Sequence, residues 1–142
     1  MNAIFADTGY FVALLSANDA HGPAAIEYAA LVDEDRTLVL VTTDAVLVEL
    51  LNFFSRYGHD ARVAALKLVR LLLSGGASRV EPQTRELLND GIALYAERGD
   101  KDWSVTDCIS LVVMDRLEID DALAYDHAFV QAGKNALLRS RE

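Results

Sequence analysis

Four acidic side chains stand where the surrounding sequence is otherwise apolar or tightly constrained. Asp7 follows Ile4-Phe5-Ala6. Glu49 sits inside Ala-Val-Leu-Val-Glu-Leu-Leu-Asn-Phe-Phe. Asp107 ends Asp-Trp-Ser-Val-Thr-Asp, and Asp126 follows Ala-Leu-Ala-Tyr. Two of them also have an ordinary structural role open to them. Asp7 could cap the helix that follows it. Ser104 with Asp107 three residues on resembles a capping box, although Glu or Gln is the usual partner there. Glu49 is harder to explain this way. Its neighbours one turn away are Ala45, Val46, Asn52 and Phe53, with no lysine or arginine to pair with it, and glutamate is seldom buried unless paired or liganded.

If the four converge, the chemistry is constrained. Clustered carboxylates repel one another and raise their own pKa values. Hard divalent cations with oxygen ligands, Mg²⁺ or Mn²⁺, relieve that repulsion. Metal-assisted attack of water on a phosphodiester is then the natural reaction. Ser104 and Thr106 stand beside Asp107 as candidate hydroxyl donors. The chain has no Walker-type glycine loop, HExxH zinc motif, Gly-x-Ser-x-Gly elbow or GxGxxG fingerprint. His21, His59 and His127 lack ligand spacing. His127, beside Asp126, is a candidate substrate contact with an ordinary surface role as the alternative.

The elements predicted to position these residues alternate in type. Met1 to Ala6 reads as a strand closed by Asp7, followed by a helix from Thr8 and an alanine-rich helix over Ala24–Asp33. Thr37–Thr42 is an apolar, β-branched strand. Helices are expected over Asp44–Tyr57 and Asp60–Ser74, a strand over Ser78–Glu81, and helices over Thr84–Arg98 and Val105–Leu117. Asp121–Tyr125 reads as a strand closed by Asp126. A short helix from His127 and a candidate edge strand over Ala136–Leu138 complete the chain. Within the helices, Val63, Leu66, Val69 and Leu73 form the expected inward stripe of one, and Leu87, Leu88, Ile92 and Tyr95 of another. Such an order describes a parallel sheet wrapped by helices. Asp7 and Asp126 both close parallel strands, so they share one rim, from which the helices bearing Glu49 and Asp107 also start.

With 142 residues, 52% hydrophobic and 25% charged, the chain is expected to form a single domain over 1–142 with a substantial core. Its net charge of −9 argues against a protein that coats nucleic acid by neutralising phosphates. It does not argue against a nuclease, because metal-loaded carboxylates become locally positive. The one cysteine, Cys108, fits a buried position and a reducing compartment. No basic leader or spanning-length apolar run occurs, so a cytoplasmic protein with no membrane partner is expected.

Ala6-Asp7-Thr8, Glu49 in its apolar helix, Asp-Lys-Asp-Trp-Ser-x-Thr-Asp-Cys and Ala-x-Tyr-Asp-His together resemble a PIN domain. They are most similar to the VapC-type toxins of toxin–antitoxin pairs, over nearly the whole chain. The resemblance implies a three-layer α/β/α fold with a central parallel sheet of four to five short strands. It implies a ribonuclease whose residues matching Asp7, Glu49, Asp107 and Asp126 bind Mg²⁺ or Mn²⁺. Thr8, Ser104 and Thr106 match positions whose hydroxyls support the attacking water, with Asp102 an additional acidic neighbour. It also implies an RNA substrate, a cognate antitoxin and a homodimer, with Arg98 and Lys101 as candidate basic residues along an RNA path. The expected antitoxin site is the pair of helices Asp44–Tyr57 and Asp60–Ser74, where Leu68, Leu71 and Leu72 fall outside the predicted stripe and Phe53 and Phe54 are adjacent. A housekeeping RNA-processing nuclease and a non-catalytic PIN-like interaction module are the alternatives. An aspartate-based phosphotransferase of another doubly wound fold fits less well, because Asp7-Thr8-Gly9 lacks the second aspartate two residues on.

Overall fold

The computed structural model describes residues 2–16 and 18–139. Its elements follow the predicted order: β1 (Ala3–Ala6), α1 (Thr8–Leu15), α2 (Gly22–Glu34), β2 (Val39–Thr43), α3 (Asp44–Phe54), α4 (His59–Leu73), β3 (Ser78–Glu81), α5 (Arg85–Glu97), α6 (Val105–Arg116), β4 (Asp121–Leu123), α7 (His127–Gln131) and β5 (Asn135–Ala136). Met1, part of the expected first strand, lies outside the described residues. The strands pair in the order β3-β2-β1-β4-β5, all parallel. Parallel neighbours need crossovers, and the helices between them supply these while covering the sheet in an α/β/α arrangement.

The direction of strand addition reverses at β1. β2 lies on one side of it and β4 on the other, with Phe5 opposite both Val41 and Ala122. A crevice therefore opens beyond the carboxyl ends of β1 and β4, the place where open α/β sheets bind ligands. Beneath it the core is apolar and continuous. Phe5, Val41, Leu123 and Phe129 are fully buried, with the Phe5 and Phe129 rings 6.3 Å apart. Thr42, also buried, donates from Oγ1 to the Ala6 carbonyl at 2.8 Å and ties β2 to the end of β1.

Two helix faces differ from expectation. In α4, Ala65, Val69 and Leu72 are buried, whereas Leu66 and Leu73 are exposed. The helix carries leucine on more than one face, so periodicity alone admits either stripe. In α5, Leu87 and Gly91 face inward while Ile92 and Tyr95 are exposed. Gly91 sets that rotation, because a Cβ there would lie 2.5 Å from Ile109 Cγ1 in α6. Helix α3 stops at Phe54, not Tyr57, and the chain turns through Gly58 at φ 89°, a conformation glycine adopts without strain.

Candidate active site

Asp7 occupies the N-cap position of α1, yet its side chain makes no capping hydrogen bond. Its backbone N–H instead donates to the Leu123 carbonyl at 3.2 Å, fastening the end of β1 to β4. The carboxyl is left within the crevice at 7% exposure. Burial pushes its pKa up to about 8, and the charges of Asp107, Glu49 and Asp126 push in the same direction. The cap reading fails for this residue.

Asp107 closes a capping box and also lines the crevice. Ser104 Oγ accepts from the Asp107 N–H at 3.0 Å and Asp107 Oδ2 accepts from the Ser104 N–H at 3.0 Å, closing the box. That clamp fixes the carboxylate at the mouth of α6. Partial burial, with Asp126 and Glu49 nearby, raises its pKa to about 6 against the lowering effect of the Ser104 hydrogen bonds. Asp126 caps α7 through Ala128 N–H at 2.8 Å and faces the same space. Glu49 was expected to avoid solvent. It is exposed, in the second turn of α3, where it borders the open side of the crevice.

All four carboxylates thus line one cleft of about 420 Å³. Asp102 and Ser104 line it too, and Thr8 is buried at its floor with an Oγ1 that has no hydrogen-bond partner among the described residues. Thr106 and His127 are not among the lining residues; His127 is exposed beside the cleft, at the start of α7. Sequence reasoning passed over Asp19, Phe53 and Tyr125, which also line it. Asp19 gave no signal beyond a polar turn. Tyr125 was visible only as the residue before Asp126. Its ring lies over Gly9, where a Cβ would come within 2.7 Å of it, and stacks on His21 with centroids 3.9 Å apart.

Six carboxylates and no lysine or arginine among the described residues line this cleft. The donor set is all oxygen, which suits a hard cation better than zinc or copper. The raised pKa of Asp7 and the unpartnered Thr8 hydroxyl fit a group that supplies positive charge there. As positioned, the side chains line the cleft without closing into a cage. Among the described residues no group of three His, Cys, Asp or Glu is spaced to hold an ion directly. Mg²⁺ commonly keeps several waters and takes only one or two carboxylates, so the residues present fit it.

The PIN domain family matches residues 4–135. The chain is 33% identical over 132 residues to the 23S rRNA-specific endonuclease VapC20 of two Mycobacterium tuberculosis strains, covering 92% of this chain and 94% of that protein. It also resembles the crystal structure of Mycobacterium tuberculosis VapC20, described as a sarcin–ricin loop cleaving toxin. The TM-score is 0.81 at 31% identity, over 94% of this chain and 97% of that one.

Proposed function

The chain belongs to the PIN-domain family, and from that premise we propose that it is a divalent-metal-dependent endoribonuclease, the toxin of a VapBC-type toxin–antitoxin pair. The observation that carries this reading is the meeting of Asp7, Glu49, Asp107 and Asp126 in one cleft at the switch point of the sheet. Those residues would hold Mg²⁺ or Mn²⁺, one or two of the carboxylates directly and the others through water. When bound, the ion lowers the pKa of water, orients it toward the phosphodiester and stabilises the leaving oxygen.

The chain's own groups do the rest. The Ser104–Asp107 box holds one carboxylate rigidly at the start of α6. The Ala128 N–H orients Asp126. The Thr8 hydroxyl, buried and without a partner among the described residues, is available to a water or phosphate oxygen at the cleft floor. Asp102 adds negative charge at the rim.

In the same reading the chain is a homodimer and is silenced by an antitoxin. Exposed Ile92 and Tyr95 on α5 support the first. A groove of about 410 Å³ between α3 and α4, lined in part by Leu51, Val63 and Leu66, supports the second. Leu72, expected to face that groove, is buried at 5% exposure.

The test is cleavage of a ribosomal stem-loop and of total RNA by the purified chain with Mg²⁺ or Mn²⁺. Asp7→Asn and Asp107→Asn should each lower the rate by roughly a hundred-fold or more, the scale of losing one electrostatic stabiliser of a transition state. Undiminished cleavage by either folded variant counts against the assignment of that residue.

A further inference from the structure

One feature of the cleft wall is not explained by metal or water chemistry. Phe53 lines the cleft one helical turn beyond Glu49, and 43% of it remains exposed. Tyr57, in the turn after α3, stacks on Phe53 with centroids 5.4 Å apart and planes 27° from parallel, and is 63% exposed. Phe54, between them in sequence, points into the core and meets the Phe53 ring edge-on at 5.0 Å, which fixes the orientation of Phe53. The result is a braced pair of aromatic rings that starts inside the carboxylate cleft and runs outward into solvent. Arg56 is exposed in the same turn and adds positive charge in a chain of net charge −9.

We propose that Phe53 and Tyr57 form a stacking platform for an unpaired nucleobase of the substrate strand, flanking the phosphodiester held at the carboxylates. The proposal rests on the endoribonuclease reading and names a base-binding subsite within it. A base in a duplex keeps its faces covered, whereas unstacked bases in loops and single strands stack readily on aromatic side chains. A platform of two hydrocarbon faces takes any base, so it positions the strand without reading its sequence. Continuity with the cleft favours RNA over a protein occupant, since Phe53 belongs to the wall that also carries Glu49. The groove on α3 and α4 is lined by a separate set of residues.

Steady-state cleavage of a single-stranded oligoribonucleotide in Mg²⁺ tests this with Tyr57→Ala, Phe53→Ala and Phe53→Trp, each checked for folding by its melting curve. Loss of one ring should raise KM roughly ten-fold, the scale of one base–aromatic stack, with kcat changed much less. Phe53→Trp should restore KM. A 2-aminopurine placed beside the cleavage site should be quenched on binding to the Asp107→Asn chain and lose that quenching when Tyr57→Ala is added. Unchanged KM in both alanine variants, with the unaltered chain cleaving normally, overturns the platform and leaves the ribonuclease reading standing. Unchanged KM together with a shift from dimer to monomer in sedimentation assigns the rings to a second copy of the chain, and also overturns it. Absence of cleavage by the unaltered chain removes the underlying reading first, and this proposal with it.

Discussion

Asp7 and Asp107 line one cleft but differ in how firmly the backbone ties their carboxyl groups. The Asp107 carboxylate accepts the Ser104 N–H, so it contributes to the stability of α6 as well as to the cleft. Asp107→Asn keeps an oxygen acceptor for that hydrogen bond and removes a negative charge from a crowded site. Its melting temperature should equal or exceed that of the unaltered chain while cleavage is lost. Asp107→Ala loses the Ser104 N–H bond while its own backbone N–H still donates to Ser104 Oγ, and should be less stable by about 1 kcal/mol. A large drop in melting temperature for the asparagine variant would mean that the residue is chiefly a cap. Asp7 yields a prediction in pH. Its pKa is 3.8 in an ordinary setting and about 8 in the fold. Between those values the folded chain holds a proton that the unfolded chain has released, so stability falls as pH rises through the window. In EDTA the melting temperature should therefore be lower at about pH 8 than at about pH 5. Asp7→Asn should flatten that slope, and Mn²⁺ should raise the melting temperature most at the alkaline end by binding the folded state. A melting temperature that climbs toward alkaline pH in EDTA would contradict the raised pKa.

At the scale of elements, type and order were legible and helix rotation was not. The β-branched run before Thr43 and the apolar run before Asp7 could only be buried strands, and both are. The cap at Ser104 was legible because its side chain makes the bond. The facing of α4 and α5 was not, because leucine-rich helices offer several apolar stripes and contact geometry chooses among them. In α5 the deciding residue is a glycine, which carries no hydrophobic signal. A Gly91→Ala methyl would meet Ile109, and the helices would have to separate. A loss of about 1–3 kcal/mol is expected, the usual cost of overpacking. Adding Ile109→Ala should recover part of that penalty in a double-mutant cycle, and strict additivity would show that the two residues do not meet in solution. In α4, Leu72→Glu places a charge in the core and should unfold the protein, whereas Leu71→Glu, at a position 67% exposed, should leave its melting temperature nearly unchanged. Thermal melts of the two variants separate these outcomes. Equal stability would mean that the helix is rotated from the position described.

For the whole molecule, the parallel sheet joins parts of the chain that are remote in sequence. Asp7 and Asp126 lie near opposite ends of the chain and meet because β1 and β4 are neighbours. The convergence of the four carboxylates was legible from strand order, since parallel strands put their following residues on one rim. The aromatic part of the wall and Asp19 were not, because nothing in their local sequence distinguishes a cleft-facing side chain from a surface one. A chain of net charge −9 attracts little RNA by its own field. Under the proposed function, cleavage therefore depends on a divalent ion that reverses the local sign of the cleft. The most direct measurement is RNA cleavage by the purified chain across a cycle of Mg²⁺ or Mn²⁺, then EDTA, then excess metal. Cleavage, its loss, and its return are the expected sequence. Cleavage that persists in EDTA after exhaustive dialysis, or none at any metal concentration, would contradict it.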